Sequence, residues 1–280
     1  MKKASDSIWV LLSAIAYFSA VVFVIWVAIH LYALSEGKLS LSFLFTNPTS
    51  GMTAGGVFAP LFGSIYLALW VVVISTPIGV LAGVYFAEFA TENTLTRLLR
   101  SSIRTLSGVP AIVFGLFGLA FFVRFMNLGL SLLASALTLS VMNLPVIITT
   151  TEEALRLVPN AQKEAAIALG ANSWEVWRDV SFKYASSGII SGLFLALSRA
   201  LGETAPILLT GVVFYQPTVT LDPTKTFMAL PYHIFILATQ HSKFTEVLPI
   251  AAASGFILLL MVLFARILAY VYNRRTQRWL

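Results

Sequence analysis

Arg199 and Glu203 stand four residues apart inside residues 185–214, a stretch with no other charged side chain. A guanidinium cannot lose its proton in a protein, and it donates two parallel hydrogen bonds to phosphate-type oxygens. A glutamate four residues on shares its helix face and can hold it when no anion is present. Charged groups inside a membrane are costly and mark function by default. An internal salt bridge that only neutralises both groups is the plainer reading. The two are compatible, because a poised pair can open to admit an anion. About 14 residues into a span, or about 21 Å at the helical rise, Arg199 is expected near mid-depth.

The second chemically suggestive run is Glu164-Ala165-Ala166-Ile167-Ala168-Leu169-Gly170. Small alanines let a helix approach another protein closely. Glu164 favours the positive end of the helix dipole and can pair with a partner's arginine. Gly170 suits the left-handed residue that ends a helix. Asn160 is expected as the N-cap. Asn172 to Glu175 reads as a capping box that opens a second helix, about 173–183, with Trp174, Val176 and Trp177 as apolar contacts. A well-capped amphipathic loop would look the same.

The elements that position these residues follow from composition. The 280 residues are 58% hydrophobic and 11% charged, against roughly 25% charged in soluble domains. The chain is an integral membrane protein. There is no cysteine, so no disulfide or thiolate chemistry. Charge-free runs predict six spans, about 8–34, 58–87, 105–123, 128–151, 185–214 and 247–272, each near the roughly 20 residues a bilayer core demands. The fold class expected is an all-α membrane bundle, one permease-like domain over 1–280 with an added N-terminal span and a charged loop at 152–184. The N-terminal apolar run is too long for a signal peptide and lacks a small-residue cleavage site. With the N-terminus inside, twelve Lys and Arg fall in inner segments and four in outer ones. Both termini are therefore expected in the cytoplasm. The net charge of +6 reflects this topology; no basic stripe interleaved with aromatics points to nucleic acid.

Pro77, Pro110, Pro145, Pro206 and Pro249 lie in or beside the spans, and each can kink a helix. Gly79/Gly83 and Gly188/Gly192 have the spacing that permits close helix crossing. Ordinary bundle packing explains both features as well as a bundle that rearranges. The 35–57 and 215–246 segments are external loops in this reading, open to an unnamed partner. His30, His233 and His241 lack metal-ligand spacing.

The run Glu164, Ala165, Ala166, Gly170 resembles the EAA motif of ABC import permeases. The later half of that motif keeps only apolar character, at Val180 and Phe182, and its usual proline is Lys183. The 199–206 stretch, Arg-Ala-Leu-Gly-Glu-Thr-Ala-Pro, resembles the span-five signature of the phosphate-specific PstA-type branch. Residues 55–58, 107–118 and 151–159 are similar to that branch as well, so the resemblance covers about 55 to the C-terminus. It implies a MetI-like bundle with Arg199, Glu203 and Thr204 on the substrate pathway and Glu164, Ala165, Ala166 and Gly170 docking an ATPase. It implies as partners a PstC-type permease, two ATP-binding cassette subunits, an external phosphate-binding protein and a phosphate-sensing regulator. ATP and Mg²⁺ would be bound by those partners and no cofactor by this chain, which has no Gly-x-x-x-x-Gly-Lys-Ser/Thr loop. The location implied is the bacterial inner membrane. A permease for sulfate or molybdate, or a phosphate-signalling scaffold, would share most of these features. A membrane enzyme is disfavoured by the lack of His-Glu-x-x-His and Gly-x-Ser-x-Gly.

Overall fold

The computed structural model describes residues 2–216 and 218–276. Arg278, one of the cations expected at the inner end, lies outside them. A long apolar helix, α1 (Lys2–Leu34), leads in. A compact loop follows, with α2 (Leu41–Phe45) and a two-stranded hairpin of β1 (Pro48–Thr49) and β2 (Ala54–Gly55). The second span is α3 (Phe58–Val84), prolonged by a π-helical turn, Tyr85–Phe89.

The third span departs from its expected bounds. An amphipathic helix, α4 (Thr94–Leu106), is separated from α5 (Ala111–Gly118) by a bend of 102°. The cause is local. Pro110 has no N–H to continue a helix and disfavours helical backbone in the residue before it. Arginines at 97, 100 and 104 also occupy one face of α4, so that helix does not continue the span through lipid. The span starts at Ala111 rather than near residue 105, and runs on through a π-helical segment, Leu119–Phe125.

Span four is α6 (Leu132–Arg156), with Ser131 capping its first turn by accepting from Ala134 N–H. The charged loop holds α7 (Asn160–Ala168) and α8 (Ser173–Glu175). From α8 the helix continues unbroken through π-helical Val176–Ser181 into α9 (Phe182–Gly202). Span five therefore stops at Gly202 instead of reaching residue 214. The chain then forms a short α10 (Ala205–Leu208), an irregular stretch, α11 (Leu230–Thr239), and the last span α12 (Phe244–Thr276). Among the described residues, five helices are long and apolar enough to cross a membrane, and α4–α5 counts as a sixth if taken as one broken span.

Glycine spacing sets the packing. A Cβ on Gly79 would lie 2.6 Å from Ile147 Cγ2, and one on Gly83 2.6 Å from Thr151 Cβ. So α3 and α6 run side by side at near backbone contact. Gly188 and Gly192 press α9 against Ala154 and Thr150 of α6 in the same way. The expected close crossings are present at both pairs. Leu67 and Val71 of α3, Phe114 of α5, Leu139 and Met142 of α6 and Ile207 of α10 form the central apolar core. α6 is the buried axis of the bundle, and α1 is nearly free of it.

Candidate substrate pathway and coupling surface

Arg199 lies in the last turn of α9, and Glu203 is the residue just past its end. Arg199 Nε donates to Glu203 Oε1 at 3.1 Å. Glu203 has extended backbone (φ −79°, ψ 129°), so the carboxylate reaches back rather than lying on a continuing helix. The two side chains keep 33% and 21% of their exposure, which leaves part of the guanidinium open to another anion. Thr204 is the residue before α10, where Pro206 suits the first turn because its absent N–H would have no helical partner. Its hydroxyl makes no capping hydrogen bond.

The depth of the pair follows from one contact. Asn143, at the middle of α6, donates from Nδ2 to Ala196 O of α9 at 3.4 Å. Arg199 is three residues beyond Ala196, or roughly 4.5 Å along the axis. It therefore sits about one turn from the bundle's midplane, on the side away from the charged loop. α10, just beyond the pair in the chain, packs on α5: a Cβ on Gly115 would lie 3.0 Å from Pro206 Cα. The helix break thus occurs inside the bundle, where freed backbone groups need protein or a polar cavity around them.

The residues expected to dock an ATPase lie apart from this pair, on the exposed charged loop. Glu164 and Ala165 are exposed on α7, and Ala166 is half-buried. Gly170 has φ +91°, and a Cβ added there would have no atom within 4 Å. Asn172 accepts from Glu175 N–H at 3.0 Å, and the Glu175 carboxylate accepts from Asn172 N–H at 2.8 Å. The expected capping box is present. The expected Asn160 cap is not: Pro159 occupies the cap position and Asn160 is the first helical residue. Proline's fixed φ turns the chain into the helix without a side-chain acceptor. Lys163 Nζ holds Glu88 in the π-helical turn that prolongs α3 (2.7 and 2.9 Å) and so ties the loop to the span. Val176 is buried, Trp177 is half-buried, and Trp174 is more than half exposed and packs on Trp177 with ring centroids 4.5 Å apart. Ile167, Leu169 and Trp174 are exposed apolar side chains on the same loop. Lys183 simply continues the helix and lies 3.4 Å from Asp179.

One group is not evident from the sequence reading. Arg100 of α4 ion-pairs with Glu92 and lies 2.9 Å from Glu152 of α6; Arg156 also reaches Glu152 at 2.9 Å. Hydrogen bonding from Arg100, with smaller help from Arg156 and Arg97, holds the Glu92 carboxyl below the usual carboxylate range. The i, i+3, i+7 spacing of Arg97, Arg100 and Arg104 is the signal that marks a cationic helix face; their number alone speaks only to orientation.

Residues 75–278 match the family described as the binding-protein-dependent transport system inner membrane component. The chain belongs to this family. A relative in Yersinia pestis, the phosphate transport system permease protein PstA, is 34% identical over 96% of this chain and 90% of its own. The probable ABC transporter permease protein YqgI of Bacillus subtilis is 40% identical over 69% of this chain and 66% of its own. Among solved structures, a bacterial ABC transporter for alginate import aligns over 95% of both chains with a TM-score of 0.61 at 14% identity. The inward-facing MetNI methionine ABC transporter aligns over 79% of this chain and 94% of that chain, with a TM-score of 0.59 at 19% identity. The protein is a multi-pass ABC importer permease of MetI-like fold, a non-catalytic component that works with other ABC transporter subunits.

Proposed function

We propose that this permease is the PstA-type half of an ATP-driven importer of inorganic phosphate in the bacterial inner membrane. The observation that carries the reading is the Arg199–Glu203 pair, part-exposed at a helix break near the middle of the bundle. A phosphate oxyanion arriving there would replace Glu203 as the partner of the guanidinium, and Glu203 would reclaim it after release. Thr204 would offer a hydroxyl at the same break. The likeness to PstA over nearly the whole chain favours phosphate over sulfate or molybdate, which an arginine alone does not tell apart.

In this reading the charged end faces the cytoplasm, with both termini there. Glu164, Ala165, Ala166 and Gly170 form the surface for an ATP-binding cassette subunit, and two such subunits bind ATP and Mg²⁺. A PstC-type permease completes the pathway and an external phosphate-binding protein delivers the cargo. A phosphate-sensing regulator reads the state of the complex.

Uptake of labelled phosphate by the chain co-expressed with its partner subunits tests this. ATP-dependent uptake that ignores excess sulfate and molybdate is expected. Competition by either anion would move the cargo to another oxyanion. No uptake by an assembled complex would leave the signalling role in its place.

A further inference from the structure

A cleft of about 520 Å³ opens at the charged end between α4 and α6. It is lined by Arg97, Arg100 and Arg104 from α4, Arg156 from α6, and the carboxylates of Glu92, Glu152 and Glu153. Four guanidiniums thus face three carboxylates. The pairing is unequal. Arg100, with its side chain only 12% exposed, is held by Glu92 and by the Phe86 carbonyl at 2.7 Å, with Glu152 at 2.9 Å. Arg156 shares Glu152 and lies 3.8 Å from Glu92. Arg97 and Arg104 have no carboxylate within ion-pair distance among the described residues. Two fixed guanidiniums therefore form a wall, and two unpaired ones stand at its rim.

We infer that this cleft is a second anion site, built to take a phosphate group. Guanidiniums suit tetrahedral oxyanions through paired N–H donors. Glu92 and Glu152 already accept from arginines, so Glu153 is the one opposing charge left over. The volume far exceeds a single phosphate, so the group can arrive attached to something larger. Two sources have this chemistry. One is the free anion leaving the pathway, because the cleft lies on the opposite side of the midplane from Arg199. The other is an anionic lipid headgroup. α4 is turned 102° from α5, which lays it along the membrane surface, and Leu95, Leu98 and Leu99 are exposed on the face away from its arginines. That is the pattern of an interfacial helix. The free-anion source rests on the importer reading above; the lipid source does not.

The test uses the permease purified with its partner permease and ATP-binding subunits, without the external phosphate-binding protein. Arg199→Gln is included in every sample so that the mid-bundle site does not contribute. Binding of labelled inorganic phosphate is measured by equilibrium dialysis, and retained phosphatidylglycerol by native mass spectrometry after reconstitution in mixed phosphatidylglycerol and phosphatidylcholine. Saturable binding of at least one probe is expected. Adding Arg97→Gln and Arg104→Gln should weaken it about tenfold or more, the scale of two lost charge-assisted hydrogen bonds. Arg97→Lys with Arg104→Lys should recover part of it. Loss of phosphate binding identifies the free anion; loss of retained phosphatidylglycerol alone identifies the lipid. No saturable binding of either probe before the cleft is altered overturns the inference and needs no folded cleft variant. Binding unchanged in the double glutamine variant overturns it too. Failure of the importer reading is a separate result, seen as absent uptake with Arg199 intact.

Discussion

Arg199 and Glu203 carry opposite formal charges in a place where either one alone would be costly. Removing one partner of a substantially buried pair leaves the other uncompensated, and this commonly costs about 3–5 kcal/mol when burial is complete. Here the pair is part-exposed in the chain, so the cost is smaller. Glu203→Gln is expected to leave a folded permease whose Arg199 holds anions too long. Transport should slow while affinity for the anion rises, which binding and uptake measured on the same preparation will separate. Arg199→Lys keeps the charge but loses the planar fork, so reduced uptake rather than full activity is expected. Gly170 makes a different residue-scale prediction. Its φ of +91° lies where a side chain is strained although nothing blocks it. Gly170→Ala should destabilise the loop by about 1–2 kcal/mol, seen as faster proteolysis between α7 and α8 with the spans intact. The residues themselves are legible from type and spacing. What spacing does not show is that Glu203 lies past the helix end, because an i, i+4 pair reads the same whether or not the last turn continues.

At the scale of elements, α3, α6 and α9 are locked by glycines rather than by large interlocking side chains. Gly83→Leu would drive a side chain into Thr151, and Gly192→Leu one into Thr150. Overpacking of this kind costs about 1–3 kcal/mol or more. Both variants are expected to lower the yield of folded permease in mild detergent, whereas Gly108→Ala, whose nearest new contact is 3.4 Å, should not. Equal yields for all three would show that the helices have room the packing denies. The long helices are readable because charge-free runs of span length have few alternatives in a membrane. The breaks are harder. The charge-free run 105–123 predicts a span beginning near 105, yet Pro110 and the α4 arginines turn the chain before the membrane is entered. Apolar Ile207, Leu208, Leu209, Val212 and Val213 predict that span five reaches 214. They instead fold back as α10 and an irregular stretch, with Ile207 fully buried in the core. Hydropathy registers burial in protein and burial in lipid alike.

The whole molecule places the Arg199–Glu203 pair and the charged loop at opposite ends of one continuous helix. α9 runs unbroken from the capping box of the loop to the turn that bears Arg199. A push on α8 would therefore be carried along one continuous helix to Arg199, with α6 as its close neighbour at Gly188 and Gly192. Glu164→Lys is expected to abolish co-purification with the ATP-binding subunit while leaving the bundle folded; intact co-purification would remove Glu164 from the docking surface. The central claim is that Arg199 contacts the transported anion. Its most direct test is labelled-phosphate uptake by Arg199→Gln beside the unaltered chain, in complexes shown to be assembled and hydrolysing ATP. Loss of uptake with assembly retained is expected. Uptake at the unaltered rate would contradict it and leave the Arg199–Glu203 pair as a structural salt bridge.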